Sequence, residues 1–155
     1  MPPDLSKSSI ARNPRARHDY HLLETWEAGL VLTGTEVKSL REGKASLGEA
    51  YAHVQRGEVW LEGLTISPYV QGSYNNPPPG RSRKLLLHKR EIRKLIGGTT
   101  QKGLTLIPLE LYFKGRVAKV AIALAKAKKL HDKREDLKRR AQEREVAREF
   151  RVRRA

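Results

Sequence analysis

Short stretches of alternating apolar and polar residues dominate the first half of the chain and predict β-strands. Residues 20–32 hold their apolar side chains largely in one phase, with Ala28-Gly29 as the site of a bulge or a sharp bend. Residues 50–67 place two apolar stretches on either side of Arg56-Gly57-Glu58. This pattern predicts a β-hairpin whose turn is better defined than its register.

The second half of the chain repeats the alternation over two longer stretches. Residues 103–113 change phase at Pro108, which is typical of an edge strand or a bulged strand. Residues 117–125 follow a Lys-Gly-Arg turn and alternate throughout. The more apolar of their two faces is predicted to face the core, which leaves Lys119 on the outside.

Helical spacing appears twice between the predicted strands. In residues 33–43 two apolar residues stand three apart and Gly43 follows them, with Thr33 or Thr35 as the N-cap. Residues 87–97 place Lys and Arg opposite Ile and Leu at helical spacing and end at a pair of glycines. Both stretches predict short helices.

Antiparallel hairpins interrupted by short helices place the chain in a mainly β class with added α-structure. They predict a small closed antiparallel β-barrel of the oligonucleotide-binding kind with embedded short helices. A flat α+β sheet fits the same pattern nearly as well. The predicted organisation is a flexible basic N-terminal arm over residues 1–17, a barrel core over 18–125 and a basic tail over 126–155.

The tail carries thirteen Lys or Arg against six Asp or Glu, and only five of its residues are large and apolar. That apolar surface is too small to offset the ordering entropy of the segment. Its Ala, Glu, Gln, Lys, Arg and Leu residues are nevertheless good helix formers. We therefore expect the tail to be disordered in the free chain and helical against an anionic partner, above all nucleic acid.

The composition of the chain limits which binding partners and which cellular compartment are expected. The chain of 155 residues has a net charge of +15, which predicts association with phosphate-rich surfaces. An acidic membrane surface is the competing partner, but no stretch joins a strong apolar face to basic flanks, so no membrane is expected. The sequence has no cysteine, no N-terminal apolar signal and no apolar run near membrane-spanning length. We expect a cytoplasmic protein.

No pattern of catalytic or metal-binding residues stands out. His18 and His21 are close in sequence, but positions three apart in a strand point to opposite faces, and no cysteine or carboxylate cluster accompanies them. The acidic residues of this region show no catalytic pairing: Glu24, Glu27, Glu36 and Glu42. No phosphate-binding glycine loop, nucleophile elbow or zinc-protease motif occurs. The chain is therefore predicted to be no enzyme and to need no metal or cofactor.

Two basic segments are candidates for phosphate contact. The first overlaps the end of a Pro-rich loop over residues 68–83, and its seven cations are balanced only by Glu91. Its cations are Arg81, Arg83, Lys84, Lys89, Arg90, Arg93 and Lys94. The second is the end of the N-terminal arm, with Arg12, Asn13, Arg15 and Arg17. The alternative for both is a solvated surface. The few aromatic residues form no assignable stacking pair, which favours recognition of a folded RNA by shape and backbone.

Six blocks of the sequence, taken in order, resemble the SsrA-binding protein (SmpB) family of bacteria. They are NPRARHDY at 13–20, EAGLVLTGTEVKSLREGKASL at 27–47, ISPY at 66–69, RKLLLHKREI at 83–92, KGLTLIPLELYFKGRVAKV at 102–120 and LAKAKKLHDKRED at 124–136. The resemblance covers nearly the whole chain and is weakest over 68–80 and beyond residue 140.

The resemblance implies a cytoplasmic, non-enzymatic protein built on an oligonucleotide-binding-type barrel. Such a protein binds the tRNA-like domain of transfer-messenger RNA (tmRNA, also called SsrA), which elongation factor Tu carries in its charged form. It delivers that RNA to ribosomes stalled on messages without a usable stop codon, a form of ribosome rescue called trans-translation. On the ribosome it occupies the place of an anticodon arm, beside small-subunit ribosomal RNA. A general basic ribosome-associated RNA-binding protein is the alternative if charge alone drives binding.

The resemblance also carries over individual positions. The implied tmRNA-binding residues are Asn13, Glu27, Leu86 and Lys119, and Arg15, Arg17 and His18 lie in the same N-terminal block. The implied tail residues are the basic Lys126, Lys128 and Lys129, the base-stacking His131, and the motif Asp132, Lys133 and Arg134. The resemblance implies that this tail enters the decoding centre and the empty mRNA channel as a helix, which would span about 45 Å. Ala127 stands where many members have Gly, and it stiffens the junction with the barrel.

Overall fold

The computed structural model describes the backbone of residues 7–101 and 103–154. Side chains are described over the same ranges except 73–75, 101, 130–133, 136 and 149–154. The strands are β1 (Lys7–Arg12), β2 (Tyr20–Leu30), β3 (Ala45–Ser46), β4 (Tyr51–Gln55), β5 (Glu58–Glu62), β6 (Thr65–Ile66), β7 (Arg83–Leu86), β8 (Thr105–Lys114) and β9 (Val117–Ala127). The helices are α1 (Arg15–Asp19), α2 (Gly34–Arg41), α3 (Lys89–Ile96) and α4 (Leu130–Arg154), with a 3-10 turn at Val70–Asn75 and a π turn at Gly97–Gln101.

The fold is a mixed α/β structure with an antiparallel main sheet and short helices, which confirms the coarse class predicted from the sequence. The strand order of the main sheet is β1-β8-β4-β5-β7-β2-β9, and β8 also pairs with β9. That additional pairing closes six strands into a ring, with β1 added alongside β8. Strands β3 and β6 form a separate two-stranded sheet.

Alternation along the strands places the main core inside the ring. On β9, Ala118, Val120, Ile122 and Leu124 are buried in the main hydrophobic cluster, and Lys119 lies on the opposite face as predicted. A second, smaller apolar cluster lies outside the ring beneath α1 and contains Ala16, Ile107, Ala123 and Ala125. Both faces of the sheet are therefore buried where α1 packs.

The local features predicted for the turns and caps are largely confirmed. Thr33 is the N-cap of α2, and its side chain forms a reciprocal capping box with Glu36. Gly43 follows that helix with a positive φ of 72°. Arg56 and Gly57 both have positive φ, as a two-residue type I′ hairpin turn between β4 and β5 requires.

Two expectations about strand irregularities differ from the structure. The bulge of β2 lies between Leu22 and Glu24, and Gly29 is in regular register with both neighbouring strands. A Cβ at Gly29 would lie 3.4 Å from Leu86 Cβ, so this glycine gives the side chain of Leu86 room. Pro108 does mark a bulge, between Pro108 and Glu110, but β8 is paired on both sides and is not an edge strand.

Residues 7–17, which belong to the segment predicted to be a flexible arm, form a strand and most of a short helix. Lys7–Arg12 forms β1, which pairs antiparallel with β8, and α1 follows it directly. Because Asn13 N donates to Leu109 O at 2.9 Å, the connection between β1 and α1 is also held to β8. The hydrogen-bonding partners lie about one hundred residues away in the chain, so no local pattern reveals this strand.

The junction with the tail lies slightly later than residue 125. Strand β9 continues to Ala127, which pairs with Tyr20. Helix α4 then runs over Leu130–Arg154, and its described side chains are exposed. The strong helix formers of this segment favour that helix, and disorder of the tail in the free chain stays a prediction. No helix among the described residues is long and apolar enough to cross a membrane.

Candidate nucleic-acid interface

One row of residues crosses five neighbouring strands on the outside of the sheet. In strand order it contains Leu86, Gly29, Lys119, Tyr112 and Ser9, each paired in register with the next. We call it the cross-strand row. Its side chains point outward because the residues on either side of Lys119 and Tyr112 are buried in the main core. Leu86 is 54 % exposed, so the row offers an apolar side chain beside an amine.

Glu27 lies beside the cross-strand row, two residues before Gly29 on β2. The Tyr112 hydroxyl donates a hydrogen bond to Glu27 Oε2, and Lys114 Nζ lies 3.6 Å from Glu27 Oε1. The Tyr112 hydrogen bond is the largest influence on the pKa of Glu27 and lowers it. Burial is the next largest and raises it, while Lys114 and Lys119 lower it further, so the pKa is lowered overall. An ionised carboxylate is thus held at the edge of a cationic surface.

Helix α1 brings most of the N-terminal candidates together. Arg15 and Arg17 are exposed on this helix, whereas Ala16 between them is buried beneath it. His18 Nδ1 lies 2.8 Å from Asp19 Oδ1. The guanidinium groups of Arg15 and Arg17 are therefore exposed to solvent, while Ala16 packs their helix against the sheet.

Asn13 is held at the start of α1 by contacts with β8. Its Nδ2 donates to Pro108 O at 3.0 Å, and its Oδ1 is buried without a hydrogen-bond partner in the described part of the chain. A groove of about 480 Å³ runs from this residue to the strands. Its lining includes Arg12, Arg17, Glu110 and Ala121.

That groove connects α1 with the cross-strand row. Ala121 is the β9 residue paired with Glu27, and Glu110 of β8 is paired with Ala121. The seven candidates assigned to tmRNA binding therefore lie on one continuous outer face: Asn13, Arg15, Arg17, His18, Glu27, Leu86 and Lys119. This face has cations along a groove, with a carboxylate, an amide and an exposed leucine beside them. Such an arrangement suits a polyanion that also presents hydrogen-bond donors.

The basic segment around residue 83 divides into a buried part and an exposed part. The prediction of phosphate contact is wrong for Arg83, which is fully buried against Glu36. Arg81 also donates to Glu36, so both arginines stabilise the fold. Lys84 Nζ lies 3.4 Å from Glu58 Oε1. The remaining cations are exposed on α3: Lys89, Arg90, Arg93 and Lys94.

The tail candidates begin where β9 ends. Lys126 pairs with His21 and is exposed, and Lys128 is tied to α1 through its amide and its amine, which donate to Asp19 O and Arg17 O. Lys129 and Arg134 are exposed. The side chains of His131, Asp132 and Lys133 lie outside the described residues. Because of the contacts of Lys128, the tail starts beside α1 and shares its end of the sheet.

The described residues show no arrangement for metal chemistry. No group of three or more His, Asp or Glu side chains in that part of the chain is placed to hold an ion. His18 lies in α1 and His21 in β2, so the two imidazoles belong to different elements. Of the acidic residues considered from the sequence, Glu36 is bound by Arg81 and Arg83 and Glu27 by Tyr112.

Comparison with known proteins identifies the family. A family model described as "SmpB protein" matches residues 10–152. The chain belongs to the SmpB family. Curated relatives of this SmpB-family chain include the "SsrA-binding protein" of Desulforudis audaxviator, 58 % identical over 142 residues and covering 92 % of this chain and 93 % of the relative. The protein of the same name from Geobacillus thermodenitrificans is 56 % identical over 144 residues, with 93 % of each chain covered.

A solved structure extends this likeness to three dimensions. The SmpB-family chain matches a chain from "tmRNA-SmpB: a journey to the center of the bacterial ribosome" with a TM-score of 0.64 and 57 % identity. The match covers 77 % of this chain and 84 % of that one. Sequence and structure therefore lead to the same family.

The sequence did not reveal some residues that shape this SmpB-family surface. Tyr112, Lys7 and Lys114 all contact the carboxylate Glu27 or the tyrosine beside it. The only local signal for Tyr112 was its phase, since it alternates with Leu111 and Phe113 of the core. Lys7 had no signal, because it reaches the site through the pairing of β1 with β8.

Proposed function

We propose that this chain binds tmRNA through its tRNA-like domain and delivers it to stalled ribosomes in trans-translation. The observation that carries the proposal is the match to the SmpB family over residues 10–152. It is supported by relatives named SsrA-binding protein at 56–58 % identity and by a likeness to a tmRNA–SmpB structure. The proposed site of action is the cytoplasm, where ribosomes work.

The face around α1 and the cross-strand row is the proposed tmRNA-binding surface. Arg15, Arg17 and Lys119 neutralise phosphates, and Leu86 covers an exposed base. Glu27 would repel phosphate and therefore accepts a hydrogen bond from a base amine or a ribose hydroxyl. The closed antiparallel ring of strands supports an oligonucleotide-binding-type barrel as the scaffold.

The tail is proposed to act on the ribosome and not on tmRNA. Helix α4 has 25 residues and spans about 37 Å at about 1.5 Å per residue, enough to enter a channel. Its basic residues suit the decoding centre and the empty mRNA channel, where His131 stacks on a base of small-subunit ribosomal RNA. Residues 132–134 and the lysines at 126, 128 and 129 complete this segment.

The proposed role involves no covalent chemistry and no cofactor. Peptidyl transfer belongs to the ribosome, and GTP hydrolysis belongs to elongation factor Tu, which this protein meets through the charged tmRNA. In this proposal the barrel binds tmRNA and the tail binds in the empty mRNA channel of the ribosome. That division is what the first experiment tests.

The experiment compares binding of the purified chain to a labelled tmRNA tRNA-like domain and to an unrelated structured RNA of equal length. Both are titrated at low and high salt, with the full chain and with a chain ending at Lys129. The truncation keeps Lys128 because that residue is hydrogen-bonded to α1. Selective binding that survives high salt and the truncation supports the proposal.

The alternative is a general basic RNA-binding protein. It predicts similar affinities for both RNAs, a steep salt dependence for each, and a large loss of affinity when the tail is removed. That result would overturn the assignment of recognition to the barrel face.

A further inference from the structure

Tyr112 is a buried residue on the outward-facing side of the sheet. Its neighbours Leu111 and Phe113 belong to the main core, so alternation directs Tyr112 away from it. It is nevertheless only 4 % exposed. Lys7 Nζ lies 4.5 Å from the centre of its ring, and Lys119 is its partner on β9. Polar side chains of the proposed RNA surface thus cover an aromatic ring.

The hydroxyl of Tyr112 reaches across a whole strand to Glu27. Tyr112 is on β8 and Glu27 on β2, and β9 lies between them. On β9 the residue paired with Glu27 is Ala121, whose methyl group leaves room for the contact. Neighbouring strands are about 4.8 Å apart, so the two side chains together bridge about 10 Å. A glutamate on an exposed strand is otherwise free to rotate.

We infer that Tyr112 is a positioning residue for RNA binding, which holds Glu27 in the rotamer that presents its free lone pairs to a hydrogen-bond donor of the RNA. The inference rests on the proposed function and adds a residue that touches Glu27 and not the RNA. The donor is of one chemical class, an N–H or O–H of a base or a ribose. A carboxylate fixed before binding loses less conformational entropy when the RNA arrives.

The electrostatics of the pair agree with this role. Burial and the contact with Glu27 both raise the pKa of Tyr112, so the hydroxyl stays protonated and remains a donor. The same hydrogen bond is the main reason that the pKa of Glu27 is lowered, so the carboxylate stays an acceptor. The charged groups on the strands and helix around the pair include Lys7, Arg12, Arg17, Glu110, Lys114 and Lys119.

The test uses full-length chains with Tyr112→Phe, Glu27→Gln or both, and the labelled tRNA-like domain of tmRNA as the probe. Tyr112→Phe keeps the ring beneath Lys7 and removes only the donor. We expect it to weaken binding about three- to tenfold, with an unchanged salt slope because no phosphate contact is lost. The double variant should bind no more weakly than Glu27→Gln, because Tyr112 acts through that carboxylate.

A second readout follows the carboxylate directly and does not depend on RNA. The pKa of Glu27, measured by NMR titration of its side-chain carbon, should rise in Tyr112→Phe and stay unchanged in the control Tyr69→Phe. Tyr69 is a suitable control because its hydroxyl donates to Gln71 in an exposed hydrogen bond on the 3-10 segment. This titration tests whether the hydroxyl bonds to the carboxylate in solution, and the affinities of the single and double variants test whether that bond serves RNA binding.

The outcomes separate the inference from the proposed function. If the wild-type chain prefers tmRNA but Tyr112→Phe binds it equally well, or if the two losses add in the double variant, the positioning role is wrong and the function stands. If the wild-type chain shows no preference between RNAs, the proposed function fails. Wild-type selectivity with coupled losses supports both.

Discussion

Arg83 Nε donates to Glu36 Oε2 at 2.9 Å, and both side chains are almost completely buried. The same guanidinium donates to Leu64 O and Pro79 O, at 2.6 and 2.9 Å. Glu36 in turn caps the start of α2. One buried ion pair therefore joins a helix terminus, a strand and two loops. The two residues of this pair are 47 positions apart in the chain.

Replacing Arg83 with Ala should destabilise the fold strongly. The change leaves a buried carboxylate with only Arg81 as an ionic partner and removes the guanidinium donor from three carbonyl groups, those of Leu64, Pro79 and Arg81. We expect a loss of about 3–5 kcal/mol in the free energy of unfolding, measured by urea denaturation. Lys84→Ala is the matched control on the same strand, and its exposed pair with Glu58 should be worth at most about 1 kcal/mol. Similar losses for both variants would contradict the structural role of Arg83.

Stability should fall in acid partly through Glu36. Burial by itself raises the pKa of this carboxyl, but hydrogen bonds from Arg81, Thr33 and Arg83 outweigh burial and lower it. A carboxyl whose pKa is lowered in the folded state stabilises the protein above its unfolded pKa of about 4.3, and this contribution disappears as pH falls through the folded value. Glu36→Gln should therefore be less stable at pH 7 and show a flatter decline below pH 4. Parallel pH profiles of unfolding would exclude this contribution.

Lys119→Ala should weaken tmRNA binding through a phosphate contact. We expect about a tenfold loss of affinity and a decrease of about 0.7–0.9 in the slope of log affinity against log salt. Lys44→Ala removes the same charge at a site paired with Glu42, away from the cross-strand row, and serves as the control. Equal effects of the two variants in salt-dependent titrations would mean that only net charge matters.

Asp132→Ala combined with Lys133→Ala should separate the two proposed activities. The barrel face is untouched, so affinity for the tRNA-like domain should stay within about twofold of wild type, a difference of roughly 0.4 kcal/mol. Tagging of nascent chains on stalled ribosomes, followed in a reconstituted translation system, should be lost. A double variant that fails to bind tmRNA would place these residues in the wrong interface.

The longer strands and the helices were predictable because their signals are local. Alternation over 117–125 identified the core face of β9, and helical spacing with capping residues located α2 and α3. Strand β1 was missed because its side chains are mostly exposed and its hydrogen bonds go to β8. The bulge in β2 was placed at Gly29 because a glycine there also fits close packing, which is the role it has against Leu86.

The residues of the candidate site could be predicted from the sequence, but the contacts that hold them in place could not. Charge and family resemblance pointed to Glu27, Leu86 and Lys119, which the structure places on one face. The same charge rule failed for Arg83, because a sequence shows an arginine but not the carboxylate that folds against it. Tyr112 escaped notice for a related reason, since its partner is two strands away.

The first residues of the tail are hydrogen-bonded to the barrel. Ala127 is still paired with Tyr20, and the amide of Lys128 donates to Asp19 O at 2.8 Å, so the chain leaves the barrel already bonded to the end of α1. In a transfer RNA, stacked base pairs transmit orientation from the elbow to the anticodon. Here backbone hydrogen bonds, and not stacked bases, connect the start of the tail to the end of α1. Under the proposed function, an RNA bound at α1 and a ribosome bound to the tail would therefore both act on the same short piece of polypeptide.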